Sequence, residues 1–207
     1  MNEADRTHTA LVFTEYHLFR ITDPQGAVSD DLDPNHNGLV SATAGDIEVL
    51  TGIHTGDVEV AVELHTRRPD PAAGWEEAAE ISCRSPSGDL LVTPLMDDPA
   101  DLPSLAHQGP GGYRLRLHAT GRDRAVDGTS THGVVESYLV QSWPAAHQDA
   151  FLVKAADAYG SGVRARPARD TVAVDHEDSP GPRAAEERDI LRRAERGDFS
   201  WSPAGGR

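Results

Sequence analysis

The chain carries ten histidines, at positions 8, 17, 36, 54, 65, 107, 118, 132, 147 and 176. Neutral imidazole is a common zinc ligand, and a zinc site usually shows two ligands close together in sequence before a distant third. No two of these histidines stand two or four residues apart. A centre built from His17, His65 and His118 with carboxylates would have to be assembled wholly by tertiary structure. The expectation is therefore no metal and no cofactor. Asp30, Asp31, Asp33, Asn35 and Asn37 precede Gly38, and oxygen ligands at alternate positions ahead of a glycine resemble a calcium loop. The bidentate glutamate such a loop needs is missing, since Ala44 stands sixth after Gly38, and Pro34 interrupts the curl. This stretch reads as an acidic surface loop.

Nucleophilic chemistry has little to work with. Cys83, the only cysteine, alternates with Ile81 and Ala79 and so points inward as a small buried hydrophobe. Ser161 sits between two glycines without a strand before it. Gly109-Pro110-Gly111-Gly112 precedes a strand rather than a helix, which makes it a turn and not a phosphate cradle. Asp97, Asp98 and Asp101 lie among prolines, in a loop where hydration is easy. Arg114, Arg116 and His118 form a basic stripe, expected on an outward face beside Glu59, Glu63 or Glu136 of neighbouring strands.

The elements that must position these groups are strands. In Asp57–His65, Val58, Val60, Val62 and Leu64 alternate with Glu59, Ala61 and Glu63; Gly112–Thr120 repeats the pattern with Tyr113, Leu115, Leu117 and Ala119 inward. Successive side chains of a strand leave opposite faces, so this alternation means a half-buried strand. Ala10–Ile21, Ile47–Ile53, Trp75–Arg84, Leu90–Leu95 and Val134–Trp143 are further strands. The turns at 54–57 and 85–89 read as hairpins. An all-β antiparallel sandwich of about seven strands is expected, with long connections crossing between its sheets. Its core is drawn from Phe13, Phe19, Val49, the valines 58, 60 and 62, Leu64, Ile81, Val92, Tyr113, Leu115, Leu117, Leu139 and Trp143.

Residues 1–9 read as a flexible N-terminus, 10–150 as the sandwich, and 151–207 as a charged, mostly disordered tail. Phe151-Leu152-Val153 could add a short helix, and 184–196 is a second helical stretch, followed by the aromatics Phe199 and Trp201. The net charge of −15 is uneven: residues 1–150 hold 9 arginines against 24 carboxylates, whereas 151–207 hold 10 basic and 10 acidic groups. Like-charge repulsion disfavours nucleic acid and anionic membranes as partners and favours a basic protein surface. A lone cysteine, no basic-then-apolar leader at the N-terminus and no apolar run of about 18 residues point to the cytoplasm.

Tyr16-His17-Leu18-Phe19 in the first strand, Gly112-Tyr113-Arg114-Leu115 in a late one and Glu136-Ser137-Tyr138-Leu139 in the last stand in order around the Ser87-Gly88-Asp89 turn. Over residues 10–144 this arrangement resembles the competence protein J family. The resemblance implies a small acidic β protein acting as inhibitor and partner of a DNA-entry nuclease. No functional residue carries over from it. The reading that follows is a non-enzymatic acidic binding protein, inhibitor or immunity-like. It would meet a basic face with Asp30, Asp31, Asp33, Asp97, Asp98 and Asp101. The alternative is a metal-dependent enzyme or small-ligand carrier built from scattered histidines and acids.

Overall fold

The computed structural model describes residues 7–27, 37–43, 45–129 and 133–166. Ten strands and one helix follow in chain order: β1 (Thr7–Thr14), β2 (Leu18–Ala27), β3 (Val40–Thr43), β4 (Gly45–Leu50), β5 (Gly56–Leu64), β6 (Glu77–Ser85), β7 (Leu91–Thr93), β8 (Gly111–Thr120), β9 (Ser137–Pro144), β10 (Phe151–Ala155) and α1 (Ala158–Arg164). They form a six-stranded sheet, ordered β1-β5-β9-β8-β6-β10, and a four-stranded sheet, ordered β3-β4-β2-β7. The expected β-sandwich is present. Most pairs are antiparallel, while β5 and β9 run parallel, with Val60 beside Tyr138 and Val62 beside Val140.

Apolar side chains that alternate along strands of both sheets meet in one core. Val12, Val58, Val60, Val62, Ile81, Leu115, Leu117 and Val140 come from the larger sheet, and Phe19, Ile21, Ile47, Val49 and Val92 from the smaller. Each such burial stabilises by roughly 1.5–3 kcal/mol. The two clearest alternations in the sequence became the long strands β5 and β8, as expected.

Several finer expectations are corrected. Ala10–Ile21 is not one strand: the chain reverses at Glu15–Leu18, whose backbones exchange N–H···O bonds of 3.4 and 3.2 Å. Phe13 is 42% exposed rather than in the core, because β1 turns Val12 and Thr14 inward. Neither expected hairpin pairs its two strands. β4 lies in the smaller sheet and β5 in the larger, and β6 and β7 are divided likewise. The turns at 51–55 and 86–90 are therefore crossovers, which let both flanking strands direct apolar faces into the shared core. Phe151–Ala155 is strand β10 on the edge of β6, not a helix. The helix comes later, at α1. Asp157 caps it by accepting Gly160 N–H at 2.8 Å, and Gly160 and Val163 are buried. The stretch 184–196, Phe199 and Trp201 lie outside the described residues.

Candidate functional site

One end of the sandwich concentrates unusual backbone and unusual side chains. Among the described residues, three non-glycine residues have positive φ: Tyr16 (54°), His17 (65°) and Asp127 (58°). The left-handed region disfavours a side chain with a Cβ, most of all a bulky one; Asp tolerates it better. All three meet at this end. His17 N–H reaches His54 O at 3.3 Å, Thr51 N–H reaches His17 O at 2.8 Å, and Asp127 N–H reaches Gly52 O at 3.0 Å.

The side chains continue the cluster. Tyr16 and His54 pack edge to face with ring centroids 5.5 Å apart, His17 and His54 likewise at 5.0 Å, and His17 stacks on Tyr159 at 6.3 Å. His17 Nε2 lies 3.2 Å from Asp127 Oδ1, and His54 Nδ1 lies 2.7 Å from Thr55 Oγ1. Tyr16 is 66% exposed and the Asp127 side chain 81% exposed. Tyr16 and the Asp127 carboxylate thus face outward, with His17, His54 and Tyr159 half-buried behind them on a fixed frame.

That frame is a buried polar network. Arg122 gives its guanidinium to Asp157 Oδ2 at 2.7 Å and to Gly38 O at 2.8 Å, and it lies 5.2 Å over the Tyr159 ring. Arg164 of α1 pairs with Glu77 and also donates to Asn37 O at 3.1 Å. Glu136 accepts Gly52 N–H at 3.1 Å, Ile53 N–H at 2.6 Å and the Tyr138 hydroxyl at 2.6 Å. Burial raises the Glu77 carboxyl above its ordinary range, with Arg164 opposing and nearby Asp157 adding to the rise. Burial likewise raises the Tyr159 phenol, against the pull of Arg122. Asp123 fixes the start of α1, accepting Ala158 N–H at 2.8 Å and Tyr159 N–H at 2.7 Å. The backbone packs too closely for side chains here: a Cβ on Gly52 would lie 2.0 Å from Arg122 O, and one on Gly121 2.2 Å from Val135 O.

A second polar cluster lies on the outer face of the larger sheet. Arg114, Arg116 and His118 do point away from the core, yet they are 1%, 0% and 1% exposed, which overturns the expected surface stripe. Segments distant in sequence cover them. Pro69 O accepts from Arg116, Gln148 O and Asp149 O accept from Arg114, and Trp75 sits 5.7 Å from the His118 ring. Their carboxylate is Glu80 on β6, not Glu59, Glu63 or Glu136: Arg116 reaches it at 2.6 Å, Arg68 at 3.0 Å and Arg114 at 3.4 Å. Burial works to raise the Glu80 carboxyl, but hydrogen bonds from Arg116 and Arg68 outweigh it and hold the group below its usual range. His118 goes the other way. Burial, helped by Arg116, pushes it down to about 4, against a hydrogen bond that the ring donates to Leu139 O.

The acidic residues expected to bind a partner are only partly visible. Asp30, Asp31 and Asp33 lie outside the described residues. Asp97, Asp98 and Asp101 are exposed. Thr93 stands opposite Arg20 in the antiparallel β2–β7 pair, so the chain leaves β7 toward the end where β2 begins, the end that carries Tyr16 and His17. Cys83 is buried as expected, with its thiol pushed up to about 12 by burial. His17 neighbours His54 and Tyr159, while His118 neighbours Trp75 on the outer face of the larger sheet, so these two histidines do not share a site. Among the described residues, no three His, Cys, Asp or Glu side chains are arranged to hold a metal ion, and no helix is long and apolar enough to cross a membrane. Tyr16, His54, Asp127 and Tyr159 were missed in the sequence. The signals the sequence offers there are two turns, the one read at 54–57, which His54 opens, and Asp127-Gly128.

No family model and no curated protein matches this chain. Among solved structures it resembles, weakly, ComJ from Bacillus subtilis, described as an inhibitor of the DNA-degrading activity of NucA. The TM-score is 0.47 at 15% identity, over 70% of this chain and 99% of ComJ. The product of crocagin biosynthetic gene J is similar at TM-score 0.44 and 12% identity, over 68% of this chain and 98% of that one. The resemblance to the competence protein J family carried by short motifs in the sequence thus has a counterpart, equally faint, in three dimensions.

Proposed function

We propose that this chain is a non-enzymatic acidic binding protein, inhibitor-like, whose partner is a basic protein. The observation that carries the reading is the fate of the charge surplus. Within 1–150, Arg114, Arg116 and Arg122 are buried, as are Asp23, Glu77, Glu80 and Glu136. Among the residues of 1–150 whose burial is described, 8 arginines and 18 carboxylates, burial withdraws three cations and four carboxylates and so leaves 5 arginines against 14 carboxylates outside the buried set. Such a surface speeds encounter with a cationic partner and disfavours anionic ones. Asp97, Asp98 and Asp101, with Asp30, Asp31 and Asp33, are the carboxylates proposed to take the place of phosphates in the partner's groove. A nuclease as the partner is suggested by the motif resemblance around residues 16–19, 112–115 and 136–139. The charge alone would suit any basic protein, and a cytoplasmic setting is proposed on the same sequence grounds as before.

The test is a pull-down from the native host at low and at high salt. A basic protein retained at low salt and released at high salt is the expected result. Failure to retain one at low salt defeats the reading. Stoichiometric zinc or calcium in the purified protein would favour the metal-dependent enzyme or carrier instead.

A further inference from the structure

A two-residue reversal with positive φ at both central positions is best served by Asn-Gly, since those residues enter the left-handed region at little cost. This chain places Tyr16-His17 there. Tyr16 is 66% exposed, so burial of its ring returns little of the strain. Strained backbone of this kind persists where the surrounding structure holds it, and it clusters at functional sites. Holding is evident here, through the bonds of His17 to Thr51 and His54. What the strain achieves is placement: Tyr16, His54, His17 and Tyr159 form one continuous run of rings ending in solvent.

The rings indicate the partner's chemistry. Aromatic faces attract guanidinium groups, and Arg122 already lies 5.2 Å over Tyr159 from the protein side. At this end stand the carboxylates of Glu15 in the same turn, Asp57 opposite Phe13 and Asp127 beside His17, and Asp97 and Asp98 follow β7, which runs toward this end. Among the cations, Arg166 acts on Tyr159, and Arg20, half-buried, follows His17 by three residues. Rigid aromatics in a charged rim are the usual make-up of an interface centre.

We propose that the exposed Tyr16 ring, backed by His54, His17 and Tyr159 and with Asp127 at the edge of the cluster, grips an arginine-bearing segment of a protein partner. This deepens the binding-protein reading and rests on it. It moves the centre of the interface from the acidic loops, which steer, to the rings, which hold.

The experiment titrates the full chain, labelled for NMR, with nona-arginine, nona-lysine and nona-glutamate peptides at low salt. Nona-arginine is expected to shift the amides of 14–18, 51–55, 126–128 and 158–160 saturably. It should bind at least about threefold tighter than nona-lysine of equal charge, because the guanidinium plane suits an aromatic face better than an ammonium does. A variant carrying Tyr16→Asn and His17→Gly keeps the turn, so its thermal midpoint should hold or rise while nona-arginine affinity falls at least about tenfold. Shifts centred elsewhere, equal affinity for the two cationic peptides, or unaltered binding by the variant would each overturn the ring site and leave the acidic binding reading standing. No cationic peptide binding at all would overturn both.

Discussion

His118 offers the sharpest test of the physics argued above. Its ring is 1% exposed, Nδ1 lies 3.4 Å from Leu139 O, and Arg116, Glu63 and Glu80 are the charges that face it. In the unfolded chain it titrates near its ordinary 6.5, and in the folded one near 4. Between those values the unfolded state binds the proton and the folded state does not, so stability is complete above about pH 6.5 and is lost as pH falls toward 4. The whole interval would be worth about 3 kcal/mol at 1.36 kcal/mol per unit, and the part between pH 7 and pH 5 about 2 kcal/mol. For a domain of this size that corresponds to a fall in Tm of roughly 4–8 °C. Glu77, whose carboxyl is raised, contributes with the opposite sign, and Glu63 and Glu80, held low, matter only at more acid pH. A His118→Phe variant cancels these background terms. Urea unfolding at pH 7 and pH 5 should show the wild type losing about 2 kcal/mol more than the variant. Equal losses in the two proteins would refute the claim that His118 is held neutral by burial.

Four other outcomes follow from the same structure. Glu80→Leu leaves Arg114 and Arg116 buried without their carboxylate, and denaturant unfolding should show a loss of about 3–5 kcal/mol. Cys83, buried with a thiol near 12, should resist a disulfide reagent at pH 8 in the native protein and react fully in urea; prompt native reaction would contradict its placement. Gly52→Ala drives a Cβ to 2.0 Å from Arg122 O and should lower Tm well beyond the usual surface substitution. Tyr16→Asn with His17→Gly should leave Tm unchanged or raised, because Asn and Gly enter the left-handed region at less cost than Tyr and His and so offset the lost contacts of His17 with Asp127, His54 and Tyr159.

What could be read from the sequence was what depends on near neighbours. The alternation of Val58, Val60, Val62 and Leu64, and of Tyr113, Leu115, Leu117 and Ala119, needs only the two-residue period of a strand, and both segments folded as that period demands. Nothing local tells which sheet a strand joins. The turns at 54–57 and 85–89 have hairpin sequences, yet the connections they belong to carry the chain across the core, because β5 finds β1 and β9, and β6 finds β8 and β10. Nor does alternation show whether the polar face stays wet. Arg114, Arg116 and His118 are covered by Pro69, Trp75, Gln148 and Asp149, from segments more than twenty residues away in the chain, and their carboxylate is supplied by β6. Tertiary structure decided both points.

The break inside Ala10–Ile21 was hidden for a different reason. Tyr16-His17 is a strand-like dipeptide sitting where a reversal demands glycine-like backbone, so local preference and global fold disagree at that point. Elsewhere the two agree: glycines take positive φ at 38, 56, 74, 88, 109 and 121. Asp127, the third exception, lies against His17 at 3.2 Å rather than in some other part of the molecule. A chain under selection for stability alone would reach Asn-Gly by a few substitutions with Tm held or raised. Retaining two rings on left-handed backbone is understandable if they work outward, in contact with something other than this chain. The failure of the sequence to announce the turn and the exposure of Tyr16 therefore have one physical explanation, and it is the explanation that directs attention to this end of the sandwich for partner recognition.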